Sequence, residues 1–166
     1  MLLVTAATNF EMEAFLGACP SRRGWRALLT GVGPVEAAMQ VTACLARSWQ
    51  SISGVINFGV AGAYVRGSSG ATLLDLCVAE REVLADLGIC AHDHIEQLRG
   101  ANFDVFDSFD LNCSLLHRAI EVLEGAALPF HRGPFVTVNC VSGSRQRGEM
   151  LSRRHQALCE NMEGAA

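Results

Sequence analysis

Ser53-Gly54-Val55-Ile56-Asn57-Phe58-Gly59-Val60, closing in Ala61-Gly62-Ala63, is the stretch whose reading decides the fold. A short, nearly continuous apolar run that stops in Gly and Ala reads as a strand buried on both faces, the usual state of strands in a parallel sheet. Two more such runs precede it, Leu2 to Ala6 and Trp25 to Thr30. Helices fit between them. One is expected from about Glu11 to Leu16. The other runs from Val35 to Trp49, where Val35, Ala38, Met39, Leu45 and Trp49 fall on one helical face. It follows Gly31-Val32-Gly33 and opens on Pro34, a residue suited to the first helical position.

The alternation continues toward the C-terminus. Thr72 to Glu80 predicts a fourth strand, Leu115 to Leu123 a helix, Phe135 to Val141 a strand, Glu149 to Gln156 a helix and Ala157 to Met162 a last strand. The expectation is one α/β domain over residues 1–166, with a largely parallel sheet covered on both faces. Only the segment 81–112 breaks the pattern. Asp86, Gly88, His92, Asp93, His94, Gly100, Asn102, Asp104 and Asp107 interrupt every apolar stretch there, and a long irregular segment in a compact domain is usually functional or mobile.

Composition narrows the partners. Half of the 166 residues are hydrophobic, enough for one sizeable core. The net charge is −4 and the thirteen Lys and Arg residues are scattered, which argues against a nucleic-acid partner. The N-terminus has no secretory pattern and no apolar run approaches the roughly 20 residues of a membrane span, so a cytoplasmic protein without a membrane partner is expected. Seven cysteines, odd in number and without CxxC spacing, read as buried reduced thiols rather than disulfides or metal ligands.

In open α/β sheets the ligand lies beyond the C-terminal ends of the strands. That rule selects Thr8 to Glu13, Gly31 to Pro34, Gly59 to Gly62 and Met162 to Gly164. Glu11 and Glu13 sit where a helix dipole stabilises a carboxylate, which alone accounts for them. A carboxylate there could equally serve as a general base that takes a proton from water. The glycines let a ligand approach the backbone or simply close turns. No GxxxxGK[ST] loop is present and Gly31-Val32-Gly33-Pro34-Val35-Glu36 does not complete GxGxxG, so phosphate cradling is not indicated.

Glu163 is the most informative single residue. A carboxylate at the end of an apolar run needs polar partners, and the 2′ and 3′ hydroxyls of a ribose suit it, with Met162 packed on the sugar. His92 and His94 flank Asp93, but a metal site would need a third ligand that the sequence does not identify; they read as polar loop residues or contacts to a variable part of a substrate. Arg145, Arg147, Arg153, Arg154 and His155 read as a solvated helix face, with an anion site as the alternative.

Taken in order, Leu3 to Glu11 (LVTAATNFE), Thr30 to Ala38 (TGVGPVEAA), Val55 to Ala63 (VINFGVAGA), Asp75 to Glu80 and Asn161 to Ala166 (NMEGAA) resemble the nucleoside phosphorylase and nucleosidase superfamily. Met162-Glu163-Gly164 matches its ribose-binding signature. The resemblance implies a phosphorylase/hydrolase-like three-layer α/β/α fold with a central, mostly parallel (mixed) sheet. Phosphorylases of the superfamily carry a Gly-Asp-Pro turn and phosphate-binding arginines, whereas Ala7-Thr8-Asn9-Phe10-Glu11 has no arginine, so hydrolysis is implied. Within the superfamily, TAATNFE, TGVGPVEAA, Asp86-Leu87-Gly88, TVNCVSGS and ENMEGAA look most like the futalosine hydrolase family, which releases hypoxanthine from futalosine in a menaquinone pathway.

By that resemblance Glu11 is the water-activating base, with Glu13 as the fallback. Val60, Ala61, Gly62, Asn139, Met162 and Glu163 contact the nucleoside. Val60 stands where many relatives have serine. The implied chemistry cleaves the C1′–N9 bond through an oxocarbenium-like transition state, with no metal and no organic cofactor, in a homo-oligomeric enzyme. Relatives continue past MEGAA with a strand carrying an aspartate that protonates the purine, so the sequence reads as an incomplete domain, with no activity expected of the 166-residue chain by itself. The alternatives are a methylthioadenosine/S-adenosylhomocysteine nucleosidase, a purine nucleoside phosphorylase, or an inactive nucleoside-binding fragment.

Overall fold

The computed structural model describes residues 1–21, 23–65, 70–91, 94–96, 98 and 104–166. They fall into two compact units, residues 1–60 with Ala166, and residues 61–165.

In the N-terminal unit the apolar runs become parallel strands. β1 (Leu2–Ala6) lies between β2 (Trp25–Leu29) and β3 (Gly54–Asn57), with Leu2 opposite both Trp25 and Gly54. Leu3, Val4, Thr5 and Ala6 are all buried, as a central parallel strand requires. β3 is an edge of this sheet, and its Val55 and Ile56 stay partly exposed.

Helix α1 (Asn9–Ala18) starts two residues before the expected Glu11 because Thr8 caps it. The Thr8 side chain accepts from the Glu11 N–H and the Glu11 carboxylate reaches back to the Thr8 N–H, a reciprocal capping box. Helix α2 (Pro34–Ser48) opens on its proline and runs into a short 3-10 turn, Trp49–Ser51. Phe15 on α1 packs edge-on to Trp25 of β2 at 5.0 Å and tilts against Phe58 at 5.2 Å, joining three segments through aromatic contacts.

The C-terminal unit holds β4 (Gly62–Ala63), β5 (Cys77–Leu84), a small antiparallel pair β6 (Ile89–Ala91) and β7 (His94–Glu96), β8 (Ser108–Asp110), α3 (Ser114–Gly125), β9 (His131–Thr137), α4 (Arg145–His155) and β10 (Cys159–Asn161). Its five-stranded sheet has the order β4-β10-β9-β5-β8. β10, β9 and β5 run parallel, while β4 and β8 are antiparallel edges. The expected α/β architecture with a mostly parallel, mixed sheet is therefore present. Val83, Ala85, Val136, Val138, Leu151 and Ala157 form the core with Tyr64 and Met150.

Further boundaries differ from expectation. The run beginning at Thr72 becomes a strand only at Cys77, because Asp75 accepts from the Thr72 N–H (2.8 Å) and hydroxyl (3.0 Å) and makes a turn instead. The strand expected at Phe135 to Val141 is shifted to His131–Thr137. Helix α4 begins at Arg145 rather than Glu149, since the Ser144 hydroxyl accepts from the Arg147 N–H at 3.3 Å. Segment 81–112 is also less irregular than its composition suggests. β5 continues through Leu84, and Ser108 to Asp110 pair with it in the register Arg81↔Asp110. Short edge strands tolerate charged and polar residues, which hides them from a search for apolar runs.

Candidate active site

In the N-terminal unit the end of β1 delivers Thr8, and α1 turns the Glu11 carboxylate back over it. Glu11 Oε2 accepts from the Thr8 N–H at 2.9 Å and from the Thr8 hydroxyl at 2.8 Å. Glu11 Oε1 accepts from the backbone N–H of Val60 at 3.0 Å, beyond the end of β3. Gly59 leaves room for this approach: a Cβ there would stand 2.5 Å from Glu11 Oε1, and the carboxylate would have to shift. Glu11 and the glycine-rich turn are thus brought together, while Glu13 is exposed. A carboxylate oxygen has two lone pairs, so Oε1 retains acceptor capacity beyond its bond to Val60.

In the C-terminal unit the turn Met162-Glu163-Gly164 follows the last residue of β10, and all three residues are half-buried. Asn161 organises it. Its Oδ1 accepts from the N–H of Glu163 at 3.0 Å and of Gly164 at 2.7 Å. Its Nδ2 donates to Glu82 Oε1 at 2.7 Å. The Thr137 hydroxyl lies 2.9 Å from Glu82 Oε2 and 3.1 Å from Asn161 Oδ1, sharing its one proton, and its oxygen accepts from the Ala165 N–H at 2.9 Å. Glu82 is only 3% exposed. Burial pushes its carboxyl up to about 7; the Asn161 and Thr137 hydrogen bonds oppose the rise and the Glu163 charge adds to it.

A second buried carboxylate, Glu160, fixes the neighbouring loops. It accepts from the Tyr64 hydroxyl at 2.6 Å, the Ser142 N–H at 2.7 Å and the Ser142 hydroxyl at 2.7 Å. Burial and the adjacent Glu160 hold the Tyr64 phenol well above its ordinary value, so it stays a donor. Gly62 pairs with Glu160 across β4 and β10. Asn139 is engaged with Asp86, donating its backbone N–H at 2.6 Å and its side-chain amide at 3.1 Å.

Several of the other sequence candidates have local partners. Arg145 and Arg153 are exposed and both pair with Glu149, as on a solvated helix face, whereas Arg147 departs from that expectation: it is half-buried, lies 3.8 Å from Asp86 and donates to the Cys140 carbonyl at 3.2 Å. His94 pairs with Glu96 at 3.1 Å, while His92 and Asp93 lie outside the described residues. Among the described residues no group of three or more His, Cys, Asp or Glu side chains is placed to hold a metal ion. All seven cysteines are free thiols, but Cys90, Cys113 and Cys140 are exposed, contrary to the expectation of burial: apolar neighbours in sequence do not bury a residue on a short edge element or at a loop end.

The sequence search misses Glu82, Thr137, Asn161, Glu160 and Tyr64. Asn161 alone had a readable signal: an Asn placed two residues before a carboxylate at a strand end, where its side chain can accept from the following N–H groups.

The sequence profile of the phosphorylase superfamily matches residues 23–166. Futalosine hydrolase of Thermus thermophilus is 33% identical over 177 residues, an alignment that takes in 100% of this chain and 74% of that protein. The native futalosine hydrolase of Helicobacter pylori superposes with a TM-score of 0.79 at 20% identity, over 99% of this chain and 75% of its own. A mutant Helicobacter pylori 5′-methylthioadenosine/S-adenosylhomocysteine nucleosidase with 5′-methylthioadenosine in its active site gives a TM-score of 0.80 at 18% identity, over 99% and 75%. At those identities the two structures establish a shared fold. No described helix is long and apolar enough to cross a membrane.

Proposed function

The chain belongs to the phosphorylase superfamily, and from that premise we propose that it is a purine N-ribosyl hydrolase that cleaves futalosine to hypoxanthine and dehypoxanthine futalosine. The observation that carries the reading is the Glu11 carboxylate, held at a strand end by two Thr8 donors and the Val60 N–H with no arginine in that segment to favour phosphate. Futalosine is preferred over methylthioadenosine because the Thermus thermophilus futalosine hydrolase resembles this chain at 33% identity along its whole length.

In the proposed reaction Glu11 takes a proton from water, whose oxygen bonds to C1′ as the C1′–N9 bond breaks; positive charge develops on the ribose, and the base leaves with the bonding electrons and is protonated to neutral hypoxanthine. Glu163 accepts hydrogen bonds from the 2′ and 3′ hydroxyls, Met162 packs on the sugar, and Val60, Ala61, Gly62 and Asn139 contact the nucleoside. Negative charge near an electron-deficient ribose lowers the barrier more than it stabilises the ground state. Neither a metal nor an organic cofactor enters these steps. The same reading makes the protein a cytoplasmic homo-oligomer acting on a small molecule, without nucleic-acid or membrane partners.

The test is a panel of futalosine, methylthioadenosine and inosine, each with and without phosphate. Phosphate-independent release of hypoxanthine from futalosine supports the proposal. Preference for methylthioadenosine, or a requirement for phosphate, would replace it with the corresponding relative's activity.

A further inference from the structure

Glu82 has no part in the steps above, yet it lies at the root of the hydrogen bonds that end on the backbone of Glu163. An asparagine amide has one accepting end and one donating end. In Asn161 the accepting end serves the N–H groups of Glu163 and Gly164, at 3.0 and 2.7 Å. The donating end then needs an acceptor, and Glu82 Oε1 supplies it at 2.7 Å. Reversed, the amide would turn its NH2 toward two backbone N–H groups and leave them without an acceptor in a half-buried turn, a costly arrangement.

Thr137 closes the network. With its hydroxyl against Glu82 Oε2 and its oxygen accepting from Ala165, three successive backbone N–H groups, those of Glu163, Gly164 and Ala165, end on side chains that Glu82 orders. The carboxylate lies directly under the turn, since a Cβ on Gly164 would collide with Glu82 Oε1.

We propose that Glu82 is a positioning residue: by fixing the Asn161 amide it holds the backbone of Glu163 and so aims the carboxylate that grips the ribose. The proposal rests on the assignment of Glu163 to the ribose hydroxyls. What Glu82 must supply is an acceptor for Asn161 Nδ2 and a partner for the Thr137 hydroxyl. Glutamine meets both needs, leucine neither. Aspartate at position 161 keeps the acceptor for the turn but has no proton to give Glu82.

The experiment compares E82Q, E82L, N161D and the double variant E82Q/N161D in the full-length protein. It follows futalosine kcat/KM and the amide 1H–15N resonances of Glu163, Gly164 and Ala165. Loss of a hydrogen bond to a charged group predicts a fall of about 10- to 100-fold in kcat/KM for E82L and N161D, with displaced amide resonances. E82Q should stay within about threefold of wild type, the range expected when a bond is kept but its charge is lost. The double variant should recover most of the N161D loss, because the new glutamine donates to the new aspartate. An E82Q/N161D protein no better than N161D, or E82L with unmoved amides and undiminished kcat/KM, would overturn the proposal. If E82L does not fold, the N161D pair decides alone. A full-length wild-type protein that leaves futalosine intact would overturn the nucleosidase reading instead, and the amide resonances would still decide whether Glu82 orders the turn.

Discussion

Glu11 Oε1 accepts the backbone N–H of Val60 at 3.0 Å, across 49 positions of sequence, while Oε2 caps α1 through Thr8. One carboxylate therefore closes a helix end and anchors the turn after β3. Replacement by alanine should cost stability, about 1 kcal/mol from the cap alone, as well as turnover. Glu11→Gln keeps one acceptor oxygen, enough for either the Val60 N–H or the Thr8 cap but not both, and it cannot remove a proton from water, so its loss of stability is smaller than alanine's while the base is gone. E11Q should unfold within a few degrees of wild type, bind nucleoside, and lose about 100-fold or more in kcat. Glu13→Ala should change kcat little. Equal losses from E11Q and E13A, measured side by side, would move the base to Glu13.

Gly59→Ala places a methyl group 2.5 Å from Glu11 Oε1. The carboxylate must shift or the turn must open, a strain of about 1 to 3 kcal/mol. Activity should fall with stability, and the two effects should not add in G59A/E11A, where the clashing carboxylate is absent. Additive losses in chemical denaturation of the double variant would show that Gly59 and Glu11 are independent.

Glu82 makes stability depend on pH. Its folded value, about 7, is raised above the ordinary 4.5, so between those limits the folded state holds more protons than the unfolded chain. Stability from this group is present below pH 4.5 and falls as pH rises through 7, by on the order of 3 kcal/mol. Other carboxylates act the other way: Asp75, lowered by its hydrogen bonds to Thr72, contributes above its unfolded value. Urea unfolding of wild type and Glu82→Gln from pH 4 to 8 isolates the term. The variant should gain relative stability as pH rises. Parallel curves would mean that Glu82 is ionised in the folded protein throughout.

Glu163→Gln should retain the turn, whose bonds to Asn161 and Thr137 come from the backbone. It should lose about 2 to 4 kcal/mol of transition-state stabilisation, the range for a charge-assisted contact in a preorganised site. Steady-state kinetics with futalosine measure this, and an unchanged kcat/KM would remove Glu163 from the ribose site.

The α/β pattern was legible because β1 is an apolar run, the run beginning at Phe135 overlaps the end of β9, and α2 announces itself with Pro34. Glu11 and Glu163 were legible because each follows a strand end, where this class of fold presents its chemistry. Glu82 was not. Glu80, Arg81 and Glu82 are consecutive charges, and a run of charges reads as surface; only the pairing of β5 with β9, together with Thr137 and Asn161, buries the third of them. Its burial depends on a contact 79 positions away, beyond any local pattern. β8 was hidden for a related reason, since Ser108, Phe109 and Asp110 are all exposed and pair only at an edge.

The central claim, hydrolysis of a purine nucleoside with Glu11 as base, is tested most directly by the release of hypoxanthine from futalosine in phosphate-free buffer, with the full-length protein and its E11Q variant run in parallel and the ribosyl product isolated from labelled water. The account predicts release by wild type, incorporation of one solvent oxygen at C1′ and near-complete loss of both in E11Q. Release that requires phosphate, a product without solvent oxygen, or an E11Q variant as fast as wild type would contradict it.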